Sequence, residues 1–200
     1  MMTPSLARTL NALGLVAISV PLLFAFTDQF VNHDLPCPLC LLQRAGFVAA
    51  GIGIALNAIE PRPAHYAMAI VSSIVGAAVS LRQIALHVVP GTGGYGDPFL
   101  GMHFYTWAFV VFVLIILGSA AMLFLEGQFE PEIGYQRPRL AGLGLFAVAL
   151  FALIALGNAV STVAECELGL CPDNPTTYQL FEGQPAQGTP PDDGGSATAQ

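Results

Sequence analysis

Five apolar stretches, Leu10–Phe30, Leu41–Ile59, Tyr66–Val89, Phe104–Leu125 and Leu140–Val163, constrain this chain more than any other feature. Each is about 19–24 residues long, enough at about 1.5 Å per residue to cross a hydrocarbon core of roughly 30 Å. Runs of this length without two-residue alternation exclude membrane strands. The breaks carry helix-stopping chemistry: Pro36 and Pro38, then Pro61 and Pro63, a glycine-rich stretch from Pro90 to Gly101, and Pro131 and Pro138. The pattern predicts an all-α polytopic membrane bundle of about five transmembrane helices. Arg8 before the first run also suits a signal peptide. That run exceeds the usual signal core of about 7–15 residues and no small-x-small cleavage site follows, so a retained span is expected.

Composition agrees. Charged residues are 10% of the chain and apolar residues 54%, against roughly 25% charged in soluble domains. Such a chain cannot coat itself for water, which excludes a soluble enzyme, a disordered chain and a nucleic-acid binder relying on a basic patch. The net charge of −7 is unevenly spread. Residues 1–164 hold six Arg and seven acids, and the other six acids all follow Ala164. From about Glu182 the tail has too little apolar content to pack and is expected to be disordered.

Arginines set the orientation. With five spans, Arg8, Arg62, Arg137 and Arg139 share one side, whereas Arg44 lies at the opposite side and Arg82 inside the third span. The N-terminus is therefore expected to be cytoplasmic and the C-terminus external. All four cysteines then fall on the external side: Cys37 and Cys40 before the second span, Cys166 and Cys171 after the fifth. An oxidising face is where disulfides persist, and an even, paired count points to redox work or structural bridges.

Cys37-Pro38-Leu39-Cys40 is the sharper pair. Cysteines three apart at a helix start lie on one face, and the positive end of the helix dipole favours the thiolate. Arg44 is one turn beyond Cys40. It either stabilises a thiolate or the negative charge of a reduced quinone ring, or it snorkels to lipid phosphate. The CxxC spacing also occurs in zinc sites, so a four-cysteine metal-binding membrane protein is the alternative reading. A scaffold protein whose disulfides only hold loops is a third.

The block Pro36-Cys37-Pro38-Leu39-Cys40-Leu41-Leu42-Gln43-Arg44 resembles the Pro-Cys-x-Leu-Cys-x-x-x-Arg signature of the DsbB disulfide-bond formation family, in the matching place between the first two spans. Leu81-Arg82-Gln83-Ile84-Ala85-Leu86-His87 and Gly101-Met102-His103-Phe104-Tyr105-Thr106-Trp107 are similar to the family as well, so the likeness covers roughly Leu10 to Leu125. The resemblance implies a thiol:quinone oxidoreductase of the bacterial inner membrane. It would reoxidise a periplasmic DsbA-like thioredoxin-fold protein and pass two electrons to ubiquinone or menaquinone. Carried over by position, Cys37 and Cys40 match the quinone-coupled pair and Arg44 matches the arginine at the quinone; Cys40, the nearer of the pair to Arg44, is the expected donor.

One departure stands out. Family members with four spans carry a second cysteine pair between the third and fourth, whereas here Val88–His103 has no cysteine. Cys166 and Cys171 lie beyond an additional span instead. They serve either as a relocated shuttle pair or as a structural clamp on the tail. Glu165 and Glu167 flank Cys166 and should disfavour its thiolate, leaving Cys171 the less hindered. The expected organisation is a four-helix core over 1–125, a cytoplasmic loop and fifth helix over 126–163, and a periplasmic tail over 164–200.

Three further polar residues point to the quinone. Arg82, about 10 Å below the interface, joins Gln83 and His87 near the CxxC face, and the last two share a helical stripe suited to a quinone carbonyl. Snorkelling and an interfacial position explain Arg82 and His87 equally well. Tyr105 and Trp107 are expected in an aromatic belt, and Asn57, Ser72, Ser73, Ser80 and Asn158 in helix–helix hydrogen bonds. Gly46, Gly51 and Gly53 are expected to allow close helix contact.

Overall fold

A computed structural model describes residues 2–89, 91, 94, 96, 98–130, 140, 142–167, 169–173 and 175–181. Arg137, Arg139, the prolines near them and the tail from Glu182 lie outside the described residues. Five helices are long and apolar enough to cross a membrane: α1 (Pro4–Val31), α2 (Pro38–Ile59), α3 (Pro63–His87), α4 (Phe104–Leu123) and α5 (Gly142–Cys166). Among the described residues there is no strand, only an isolated bridge between Phe99 and Met102. Short 3-10 turns follow at Glu126–Phe129 and Gln179–Phe181.

Helices α1, α2 and α3 start three to six residues before the apolar runs, whereas α4 starts with its run and α5 two residues after it. Prolines open α1, α2 and α3, where the missing N–H needs no partner. The Thr3 side chain accepts from the Leu6 N–H, which carries α1 back six residues to Pro4. At the other end of the chain, α5 runs three residues past Val163, so Glu165 and Cys166 are helical.

Helix α2 is central. It packs against α1, α3 and α5 and touches α4, while α3 pairs with α4 and α1 with α5. Small residues make these contacts close. A side chain at Gly53 would put its Cβ 2.6 Å from the His65 carbonyl, and one at Gly46 would lie 3.1 Å from Gly76 Cα. Phe112 of α4 fills the space over Gly76 and stacks on Phe47, with ring centroids 4.0 Å apart. Val71, Leu114 and Leu153 face outward, as lipid-facing positions should.

The expected interhelical bonds of the small polar residues are not what forms. Asn158 Nδ2 donates to Ile154 O of its own helix, and Asn57 Oδ1 caps the Arg62 N–H at the α2–α3 turn. The i−4 carbonyl is the nearest acceptor to a short side chain inside a helix.

Candidate functional site

Cys37 is the N-cap of α2, and its sulfur accepts from the Cys40 N–H at 3.2 Å. Both cysteines are free thiols here, Cys37 buried and Cys40 half-buried. Gln83 reaches them from α3. Its Nε2 donates to Cys37 Sγ at 3.4 Å and Cys40 Sγ at 3.5 Å, while its Oε1 accepts from Gln43 Nε2 at 2.6 Å. A hydrogen bond from the Cys40 thiol, outweighing burial and helped by the Cys40 N–H and the Gln83 amide, lowers Cys37 to about 7.

Arg44 is 5% exposed. Its Nη1 donates to Gln29 Oε1 at 2.8 Å, and its guanidinium carbon lies 5.0 Å from the centroid of the Phe26 ring. Nε and Nη2 are buried without a hydrogen-bond partner. Gln29 in turn donates to Ser161 Oγ at 2.8 Å and to Tyr178 Oη at 3.0 Å, linking α1 to α5 and to the tail. Glu165, also fully buried and with neither oxygen hydrogen-bonded, interacts electrostatically with Arg44. The sequence placed Glu165 beside Cys166 as a like-charge neighbour. The added helical turn instead directs it into the bundle.

A cavity of about 240 Å³ opens between α1 and α4 with α2 behind it. Cys40, Gln43 and Arg44 supply its polar wall, and Phe99, Tyr105 and Trp107 an aromatic one. Tyr105 and Trp107, expected as belt residues, thus face a site. The cavity suits a flat ring near the lower size limit of small-ligand pockets, roughly 300 Å³. Arg44 brings a cationic hydrogen-bond donor to the cavity wall, chemistry suited to a ring oxygen, so the lining side chains fit a quinone.

The other expected residues divide. Gln83 is buried but turned to the sulfurs, and it does not line the cavity. His87 binds the Gln83 carbonyl through Nδ1 at 2.8 Å and stacks on Tyr105. Arg82 is exposed, because the buried stripe of α3 runs Ser73, Gly76, Ser80, Gln83 and its neighbour in sequence is rotated about 100° away. Cys166 and Cys171 form a disulfide at the C-terminal end of α5, with Cα atoms 4.6 Å apart. The Arg44–Gln29–Ser161 chain puts this bridge at the same end of the bundle as Cys37 and Cys40. Among the described residues no group of three or more metal-ligating side chains converges.

Sequence reading missed Gln29 and Tyr178, gave Glu165 a different role and assigned Gln43 none. Gln29 and Gln43 carried a usable signal, since an amide inside an apolar run is costly unless partnered. Tyr178 carried none, because its partner is 149 residues away.

The family described as disulfide bond formation protein DsbB matches residues 7–94. A disulfide bond formation protein B from Chromobacterium violaceum is 30% identical over 145 residues, covering 68% of this chain and 84% of its own. Another from Hahella chejuensis is 36% identical over 89 residues, covering 42% of this chain and 53% of its own. No solved structure gives a significant match.

Proposed function

Because this chain belongs to the DsbB family of disulfide bond formation proteins, we propose that it is a thiol:quinone oxidoreductase of the bacterial inner membrane. It reoxidises a periplasmic DsbA-like dithiol protein. The N-terminus is cytoplasmic and both cysteine pairs are periplasmic, as the arginine distribution favours. Residues 1–125 form the redox core, 126–163 bring the chain back across the membrane, and 164–200 form the external tail.

One observation carries this reading: Cys40 and Arg44 line one cavity between α1 and α4. The client dithiol reduces Cys166–Cys171, and the resulting thiols pass two electrons and two protons to the Cys37–Cys40 disulfide by exchange. Cys40, which lines the cavity beside Arg44, is the residue that yields the electron pair to the acceptor, and Cys37, the more acidic thiol, closes the bond to the Cys40 sulfur as it is oxidised. Gln83 holds both sulfurs while this happens. Bond closure gives up two electrons and two protons; Arg44 and the cavity walls would hold ubiquinone or menaquinone, which would supply the acceptor for both. Arg44 provides fixed positive charge where negative charge develops.

The test is quinone reduction by a dithiol donor in purified membranes. Cys37→Ser and Cys40→Ser should each abolish it. Turnover retained in either variant would sink the proposal.

A further inference from the structure

The tail beyond α5 reaches the proposed quinone site through two hydrogen bonds. Arg44 has a single side-chain hydrogen-bond partner among the described residues, Gln29 Oε1. The Gln29 amide nitrogen is held by Ser161 and by the hydroxyl of Tyr178. Tyr178 belongs to the segment after Cys171, which folds back along α5. Pro175 is buried, and Tyr178 and Phe181 line a groove with Phe26, Phe30 and Val160. Phe26 is also the ring under the Arg44 guanidinium. The Cys166–Cys171 bond closes this segment against the end of α5.

We infer that the C-terminal tail is a redox-sensitive brace: with Cys166–Cys171 intact, Tyr178 locks Gln29, and Gln29 sets the position of Arg44 for its ligand. Tyr178 and Gln29 are positioning residues, acting through Arg44. The inference rests on the quinone reading of the cavity.

Accessibility says how the brace is released. Cys166 is 3% exposed, Cys171 is half-buried, and Leu170 beside it is 95% exposed. An incoming client thiolate therefore attacks Cys171 Sγ. The Cys166–Cys171 bond breaks, a bond from the client to Cys171 forms, and Cys166 leaves as a thiolate that takes a proton. The second client thiol then displaces Cys171, so the client loses two electrons and both tail cysteines end as thiols. The intermediate links the client to the tail side of the bridge, seven residues before Tyr178, and reduction removes the covalent closure that holds Tyr178 in place. Passing the electrons on to Cys37–Cys40 re-forms the bridge and reseats Tyr178. Arg44 is thus fully held only after the electrons have left the tail, which orders the two half-reactions.

Two measurements on the full-length oxidised protein test this. The single tryptophan, Trp107, lines the cavity, so quenching of its fluorescence by a short-chain ubiquinone reports binding without turnover. Tyr178→Phe and the double variant Cys166→Ser/Cys171→Ser should each raise Kd about three- to tenfold, the scale of one lost hydrogen bond. Combined, they should do no more than either alone, because both act through one contact. Hydrogen exchange of the α1 backbone around Gln29 should rise in both variants. Unchanged Kd, or effects that add independently, would overturn the brace. If the parent protein shows no quenching at any quinone concentration, the quinone reading fails, and hydrogen exchange alone decides the brace: no rise around Gln29 refutes it.

Discussion

The bundle carries a buried polar network at each end, and the two are built differently. At the end away from the cysteines, Asn11 Nδ2 donates to Tyr66 Oη at 2.6 Å, and Tyr66 donates to Gln128 Oε1 at 2.8 Å. Asn11 also donates to the Ala7 carbonyl, and Gln128 Nε2 to the Leu125 carbonyl. These groups are neutral and partnered, and they join α1, α3 and the turn after α4. At the cysteine end, Arg44 and Glu165 are ionisable, and four of their buried polar atoms have no hydrogen-bond partner. A satisfied neutral network rigidifies a bundle, whereas unpartnered buried ionisable groups cost stability and persist where something else needs them. The contrast separates the structural end from the reactive one.

The largest effect should come from removing the charge at the reactive end. Arg44→Leu should lower kcat/KM for quinone reduction roughly a hundredfold, the usual loss when one charge-stabilising group is deleted. Arg44→Leu combined with Glu165→Leu should be equally inactive yet no less stable to heat, since replacing interacting buried ionisable groups together by apolar residues is often neutral or stabilising by about 1–4 kcal/mol. A marked loss of stability in that double variant would break the contrast. At the other end, Tyr66→Phe leaves the Asn11 amide and the Gln128 carbonyl without their shared partner. Unfolding in detergent should report a loss of about 1–3 kcal/mol, with kcat/KM per folded molecule unchanged. Loss of activity without loss of stability would remove the distinction.

A smaller effect sharpens the reactive end from within. Cys37 titrates near 7, below the ordinary thiol, so its thiolate fraction climbs as pH rises through neutrality. Gln83 contributes to that lowering as a donor to sulfur. Gln83→Leu should move the titration upward and cut the thiolate fraction at pH 7 about twofold to fivefold, read from ultraviolet thiolate absorbance against pH. A titration still centred near 7 would mean that Gln83 only packs.

Much of this was legible in the sequence, for identifiable reasons. Span number follows from run length and hydropathy, which are local properties, and all five helices sit where the apolar runs place them. The CxxC–Arg block was legible because its residues share one helix turn, so spacing alone brings Cys40 and Arg44 to one face. Gln83 and Arg82 show where that logic stops. Both are polar residues in one apolar run, and only the packing face of α3 turns Gln83 to the sulfurs and Arg82 outward.

Sequence alone determined that this chain crosses a membrane as helices and carries paired cysteines with an arginine one turn after the first pair. Those properties come from backbone hydrogen bonding in lipid and from i, i+3 and i+4 geometry. Tertiary structure alone decided that Arg44 is held from α1 by Gln29, that Glu165 points at it from the fifth helix, and that the tail returns Tyr178 to the same cluster. Such partners are set by how helices pack in three dimensions, and no periodicity along one helix encodes a contact with another.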